Sequence, residues 1–179
     1  TTGASNTAVG VASLGANTTG PSNTAVGYQA FYSNTTAGNN VGIGQQAGYS
    51  NTTGEANNFI GRNTGYANIS GANNTAMGHN TFDSNTTGGN NVAIGQTALQ
   101  SNTTASNNTA VGRRASFSNT TGTNNTCIGI DSGFHITTGS QNTIIGGYNG
   151  NQSSLDIRTT SNNIVLSDGS GNPRAHCDS

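Results

Sequence analysis

Aliphatic residues followed at once by glycine recur along this chain at a fixed interval. The glycines are Gly10, Gly27, Gly44, Gly61, Gly78, Gly95, Gly112, Gly129 and Gly146, each seventeen residues from the next without an insertion. Immediately before them stand Val9, Val26, Ile43, Ile60, Met77, Ile94, Val111, Ile128 and Ile145. Four positions before each glycine is an asparagine: Asn6, Asn23, Asn40, Asn57, Asn74, Asn91, Asn108, Asn125 and Asn142. Three columns held in phase over nine units are the mark of a repeat architecture in which each unit stacks on its neighbours.

The pattern predicts an all-β fold, a parallel β-solenoid with one coil per seventeen residues and equivalent residues one rung apart at ~4.8 Å. In each unit the Asn-Thr-Ala-Val-Gly stretch reads as a short strand that turns its aliphatic residue inside. The glycine after it permits a corner or a close backbone approach. A second corner is expected at Thr-Thr-Gly, as in Thr18-Thr19-Gly20 and Thr86-Thr87-Gly88. Stacked asparagines would bond along the fibre and satisfy turn amides. A large apolar residue follows the glycine at one of two adjacent positions, as Leu14, Phe31, Phe82 and Leu99 or as Tyr49, Tyr66, Phe117 and Phe134, and is expected to fill the core. The architectural alternative is an interleaved triple β-helix, in which equivalent residues of one chain lie several rungs apart.

The period fails after Gly146. The domain reading is therefore a shaft of nine repeats over 1–150 and a strand-turn transition over 151–179. Within the transition, 149–152 reads as a loop and 155–158 as a short strand. A late strand restart falls at 162–166 and a turn cluster at 168–173.

Composition narrows the function. Of 179 residues, 30% are hydrophobic and 6% charged, with no Lys and only two Pro. Disordered chains of low hydropathy are normally rich in charge and Pro, so order through backbone ladders is the better reading. The net charge of -1, with no basic cluster beyond Arg113-Arg114, argues against nucleic acid. No apolar run is long enough for a membrane helix. Each coil carries few large apolar side chains against seventeen ordered backbones, so further copies are expected to cover the remaining apolar surface.

The unit Asn23-Thr24-Ala25-Val26-Gly27-Tyr28-Gln29-Ala30-Phe31-Tyr32-Ser33-Asn34-Thr35-Thr36 resembles the repeats of phage tail fibres and bacterial adhesive fibres. It is also similar to the head repeats of trimeric autotransporter adhesins. The stretch Asn163-Ile164-Val165-Leu166-Ser167-Asp168-Gly169 is similar to what precedes the endosialidase-type intramolecular chaperone in such fibres, and the resemblance implies such a module after residue 179. The resemblance implies a parallel homotrimer, outside the cell, on a virion tail fibre or a bacterial surface. It also implies a structural role, presenting a receptor-binding tip for attachment.

Little chemistry is expected. The acids Glu55, Asp83, Asp131, Asp156, Asp168 and Asp178 are scattered, so a glycosidase pair is unsupported. His79, His135 and His176 occupy different repeat positions, so neither metal nor cofactor is expected. Cys127 stands in a column of small residues and reads as a buried thiol. Asn17, Asn34, Asn51, Asn68, Asn85, Asn102 and Asn119 begin Asn-x-Ser/Thr sequons in one column. They are read as a structural ladder at a corner, with glycosylation as the sharper alternative. The chain is thus expected to be no enzyme, with itself as partner and host-surface glycan as a further one through its exposed Thr, Asn and Tyr surface. The competing functions are an ice-binding solenoid and a polysaccharide-binding tailspike. Ice binding would need a Thr-x-Thr array on one face, and adjacent Thr-Thr at a corner should diverge.

Overall fold

The computed structural model describes residues 2–178. Nine three-residue strands follow one another: β1 (Thr7–Val9), β2 (Thr24–Val26), β3 (Val41–Ile43), β4 (Asn58–Ile60), β5 (Thr75–Met77), β6 (Val92–Ile94), β7 (Thr109–Val111), β8 (Thr126–Ile128) and β9 (Thr143–Ile145). Each pairs in parallel with the next, and partners are equivalent residues: Val9 with Val26, Val26 with Ile43, Ile43 with Ile60. One coil therefore takes seventeen residues and the chain stacks on itself. This is the parallel β-solenoid, and direct pairing of equivalent residues excludes the interleaved arrangement.

The solenoid does not stop where the period fails. A short antiparallel hairpin of β10 (Asn151–Gln152) and β11 (Leu155–Asp156) is let into the ninth coil. That insertion lengthens the step from Asn142 to Asn163 to 21 residues. Strand β12 (Ile164–Ser167) then lies parallel on β9 as a tenth rung, Ile164 opposite Thr143. Strand β13 (Pro173–Cys177) turns back antiparallel on β12 and completes an eleven-stranded sheet.

The aliphatic column is not inside. Side chains alternate along a strand, and here the alternation starts from the inward asparagine. Asn points in, Thr out, the middle residue in and the aliphatic residue out. Ala25, Phe59, Ala76, Ala93, Ala110, Cys127, Ile144 and Val165 are accordingly buried, whereas Ile43, Met77 and Ile145 are 40%, 44% and 46% exposed. Two asparagine columns share the interior, and alanine is the commonest residue in this inward column.

The two apolar positions after the glycine also part company. Phe31, Phe82 and Leu99 enter the core. Tyr49, Tyr66, Phe117 and Phe134 sit one residue further on, face outward and are only partly buried. Coils that lack a large residue at the inward position are filled in two ways. The Phe31 ring occupies the space beside Gly42 and Gly48 of the next coil, where a Cβ on Gly42 would come within 2.6 Å of it. Phe59 fills the space beside Gly65, and the Cys127 sulfur that beside Gly133, each within its own coil. Core volume is thus shared between the second and third rungs by Phe31, with glycine opposite its ring.

Candidate functional site

The two asparagine columns are the polar interior of the coil. In the first, the backbone N–H of each asparagine donates to the side-chain oxygen of the one before, Asn23 to Asn6 Oδ1 at 2.8 Å and Asn57 to Asn40 Oδ1 at 2.9 Å. The step from Asn142 to Asn163 keeps this bond at 3.0 Å. Their Nδ2 groups cross the coil to carbonyls fourteen residues on, Asn57 to Gly71 O at 2.8 Å.

In the second column Nδ2 bonds to the preceding Oδ1 and to a carbonyl three residues ahead. Asn34 reaches Asn17 Oδ1 at 3.0 Å and Ala37 O at 3.0 Å. The same pair of bonds recurs at Asn51, Asn68, Asn85, Asn102 and Asn119. The column ends at Asn119, whose Oδ1 is buried without a partner, because Ile136 occupies the next position in the core.

That geometry bears on the two readings of the sequons. Asn17 is 6% exposed and the other six are 0–1% exposed, with every Nδ2 engaged. Attachment of a glycan needs a solvent-facing amide nitrogen, and in the folded coil none of the seven offers one. Asn17, Asn34, Asn51, Asn68, Asn85, Asn102 and Asn119 thus form a buried amide ladder in the folded coil. Sequon asparagines outside the column, Asn73, Asn107, Asn124 and Asn151, are exposed.

The glycine column forms the corner after each strand, with φ from 109° at Gly146 to 138° at Gly112. A Cβ on Gly78 would fall 2.7 Å from Thr81 Oγ1 and 2.8 Å from the carbonyl carbon of Gly95 on the next rung. Glycine is needed there for the backbone angle and for the clearance alike.

The outer surfaces remain as candidates. One is the flat sheet face, with an outward Thr column (Thr7, Thr24, Thr75, Thr109, Thr126 and Thr143, replaced by Val41, Asn58 and Val92 in the other coils) beside the aliphatic column. No ionisable side chain stands in either column. A second is a ridge of stacked aromatic rings, Tyr32 on Tyr49 at 5.4 Å, Tyr49 on Tyr66 at 5.1 Å, and Phe117 on Phe134 at 4.9 Å. Neither feature was visible while the aliphatic residues were assigned to the interior. The signal that reveals them is the alternation counted from the asparagine.

The titratable groups do not converge. Asp83 is half-buried, and desolvation raises its carboxyl above the usual range, opposed by the nearby His79. Asp168 is lowered to about 2, chiefly by the Asn172 side-chain amide and backbone N–H and also by Arg174. Asp156 is lowered by its bonds from Arg158. Burial pushes the Cys127 thiol up to about 11, which suits packing and not nucleophilic attack. Among the described residues no three His, Cys, Asp or Glu side chains gather as a metal site. The Tyr148 hydroxyl, pushed up to about 12 mainly by burial, donates to Leu155 O at 2.7 Å and pins the β10–β11 hairpin. Comparison with protein-family models, with curated proteins and with solved structures finds no match for this chain.

Proposed function

We propose that this chain is a non-catalytic structural shaft of an extracellular trimeric fibre, a phage tail fibre or a bacterial adhesive filament, that holds a receptor-binding tip away from its base. The observation that carries the reading is the uncharged sheet face. Its aliphatic column is exposed on seven of the ten rungs, from Val9 at 57% to Leu166 at 44%, and half-buried at Val26, Ile60 and Val111. Ten rungs span about 43 Å, and a three-residue strand is ~10 Å wide. The face is thus on the order of 400 Å² in plan before side-chain relief, against ~800 Å² that a standard interface takes from each partner. Exposed Val11, Tyr28 and Ile130 flank it and extend it. A long flat apolar surface of this kind is normally covered, and a parallel second and third copy present the matching columns in the same rung spacing.

Light scattering on the folded chain tests this. The expected mass is three times 17.9 kDa. A stable monomer with full β content would overturn the trimer.

A second reading has gained an observation. The outward Thr column and the aliphatic column stand two residues apart on one flat face, a methyl-hydroxyl lattice of ~4.8 Å by ~7 Å. For ice binding the sequence reading weighed only the adjacent Thr-Thr pair at the corner. Ice binding is checked by freezing hysteresis on the sample whose mass is measured: a trimer without hysteresis supports the shaft, and a monomer with hysteresis supports the ice-binding face.

A further inference from the structure

Beyond the sheet face, on the flank of the sixth to eighth coils, lies a depression of about 340 Å³ lined by Gln96, Thr97, Arg113, Arg114, Phe117 and Phe134. That volume lies at the lower end of small-molecule sites, ~300–1,000 Å³. It forms where the repeat changes composition. The position after the corner glycine is Gln96 and then Arg113, the next is Thr97 and then Arg114, and the outward aromatic position becomes Phe117 and then Phe134.

The two arginines are not equivalent. Arg114 is spent: it donates through Nε and Nη2 to the two carboxylate oxygens of Asp131, both at 2.7 Å, and its guanidinium lies 5.0 Å from the centre of the Phe134 ring. The Arg113 guanidinium makes no hydrogen bond among the described residues. Its nearest acid oxygen is that same Asp131, at 3.8 Å, and its side chain is 48% exposed. Asp131 can neutralise one guanidinium, so one positive charge is left over at the mouth of the depression. Elsewhere in the described chain Arg158 and Arg174 are matched with their own acids, while Arg62, three coils away, forms no ion pair.

We infer that this depression is a binding site for an acidic sugar, with Arg113 as the fork for its carboxylate. The Phe117 and Phe134 ring stack would meet the apolar C–H surface of the sugar, and the Gln96 amide would bond a ring hydroxyl. Arg114, held by Asp131, acts as a positioning residue that keeps the Phe134 ring in place. A peptide is the poorer candidate. Backbone edges on the flank are consumed by rung-to-rung pairing, as where Arg114 N–H donates to Gln96 O at 3.0 Å and Asp131 N–H to Arg113 O at 2.9 Å. No strand edge is therefore offered for an extended chain to join. The inference deepens the shaft reading by giving the flank of the fibre a ligand. It rests on that reading only for its supposition that the surface meets glycans at all.

The test is a titration of the full chain, at low and at raised salt, with a glucuronate-containing oligosaccharide, with its carboxyl-reduced neutral counterpart, and with a short Asp/Glu peptide. Light scattering is run on the same samples. The expected result is binding of the acidic sugar alone, weakened by salt. Arg113→Gln should weaken it by about tenfold or more, as loss of a charged hydrogen-bond pair does. Arg113→Lys should retain part of it, and Arg62→Gln, in the same column three coils away, should leave it unchanged. Equal binding by parent and Arg113→Gln, equal binding of the neutral sugar, or no binding at all overturns the proposal. Binding of the peptide as tight as that of the sugar overturns the ligand class. Because mass is read beside affinity, a trimer that fails to bind sinks only the site, and a monomer that binds sinks only the trimer.

Discussion

Asn68 donates through Nδ2 to Asn51 Oδ1 at 2.7 Å and to Gly71 O at 3.0 Å, and accepts from Asn85 at 2.6 Å. Removing that side chain leaves a buried donor and a buried acceptor short of a partner, so Asn68→Ala should cost about 1–3 kcal/mol per chain. Asn68→Asp is nearly isosteric but turns two acceptors, Asn51 Oδ1 and Gly71 O, toward a carboxylate. At neutral pH it should cost about 3–5 kcal/mol, as an unpaired buried charge does. Burial raises the pKa of such an acid in the folded state, so the loss should shrink as pH falls toward the ordinary Asp value near ~4 and its pH-dependent part should be gone below it; melting curves at neutral and acid pH read both effects.

The corner offers a contrasting pair. Gly78→Val adds a branched side chain at φ 137° and against the Gly95 carbonyl, and should cost about 1–3 kcal/mol or more per chain. Asp83→Asn should melt with or above the parent at pH 7. Its raised carboxyl pKa means that ionisation costs stability as pH rises, so the advantage should vanish at acid pH. The glycine and asparagine columns were legible in the sequence because a steric corner and a buried amide ladder tolerate no substitute. The partial burial of Asp83 was not, since its column accepts Gly15, Tyr32, Gln100 and Phe117 on other rungs.

At the scale of the coil, the core is a set of fitted pairs. Phe31 packs into the space left by Gly42 and Gly48, so Phe31→Ala should open a cavity spanning two rungs and cost about 3–5 kcal/mol, measured by denaturant titration. Sequence reasoning treated each coil as supplying its own filler. It missed the sharing because an outward and an inward aromatic one residue apart look alike in a sequence. Alternation from Asn23 and Asn40 would have separated them.

The last coil follows different rules. Asp168 accepts from the backbone N–H groups of Ser170 and Asn172, both at 3.0 Å, and so holds the β12–β13 turn. Its carboxyl is depressed to about 2, so the support it lends is complete above the ordinary carboxylate range and is lost as pH falls through about 2. Amide exchange at Ser170 and Asn172 should therefore stay slow down to about pH 4 and accelerate between about pH 4 and 2, while the β2–β8 amides hold.

For the whole molecule, the exposed aliphatic column makes the proposed assembly testable apart from the fold. Replacing Ile60 and Ile94 together by Lys places charges on the outer face and disturbs no core contact. Parallel β content should survive while the mass falls toward that of one chain. Loss of β structure in that variant would mean that the coil cannot stand without its neighbours. Fold class was readable from nine repeats in register because equivalent units in phase stack as coils of a β-solenoid, whether one chain or three interleaved chains build it. Which face meets solvent was not, because a strand of three residues with an aliphatic end is amphipathic only after its inward member is known.

Identical rungs carry a hazard of aliasing. A folding chain that looped out one whole unit would find every backbone partner and every asparagine again, seventeen residues out of phase. What distinguishes the correct phase is the unevenness of the filling. Were the third coil skipped, Phe31 would land on a rung carrying Phe59 where Gly42 should be, and two rings would claim one space. The departures from the consensus thus act as a vernier that indexes the coils, and levelling Phe31, Phe59 and Phe82 to a single residue type should multiply phase-shifted species in refolding.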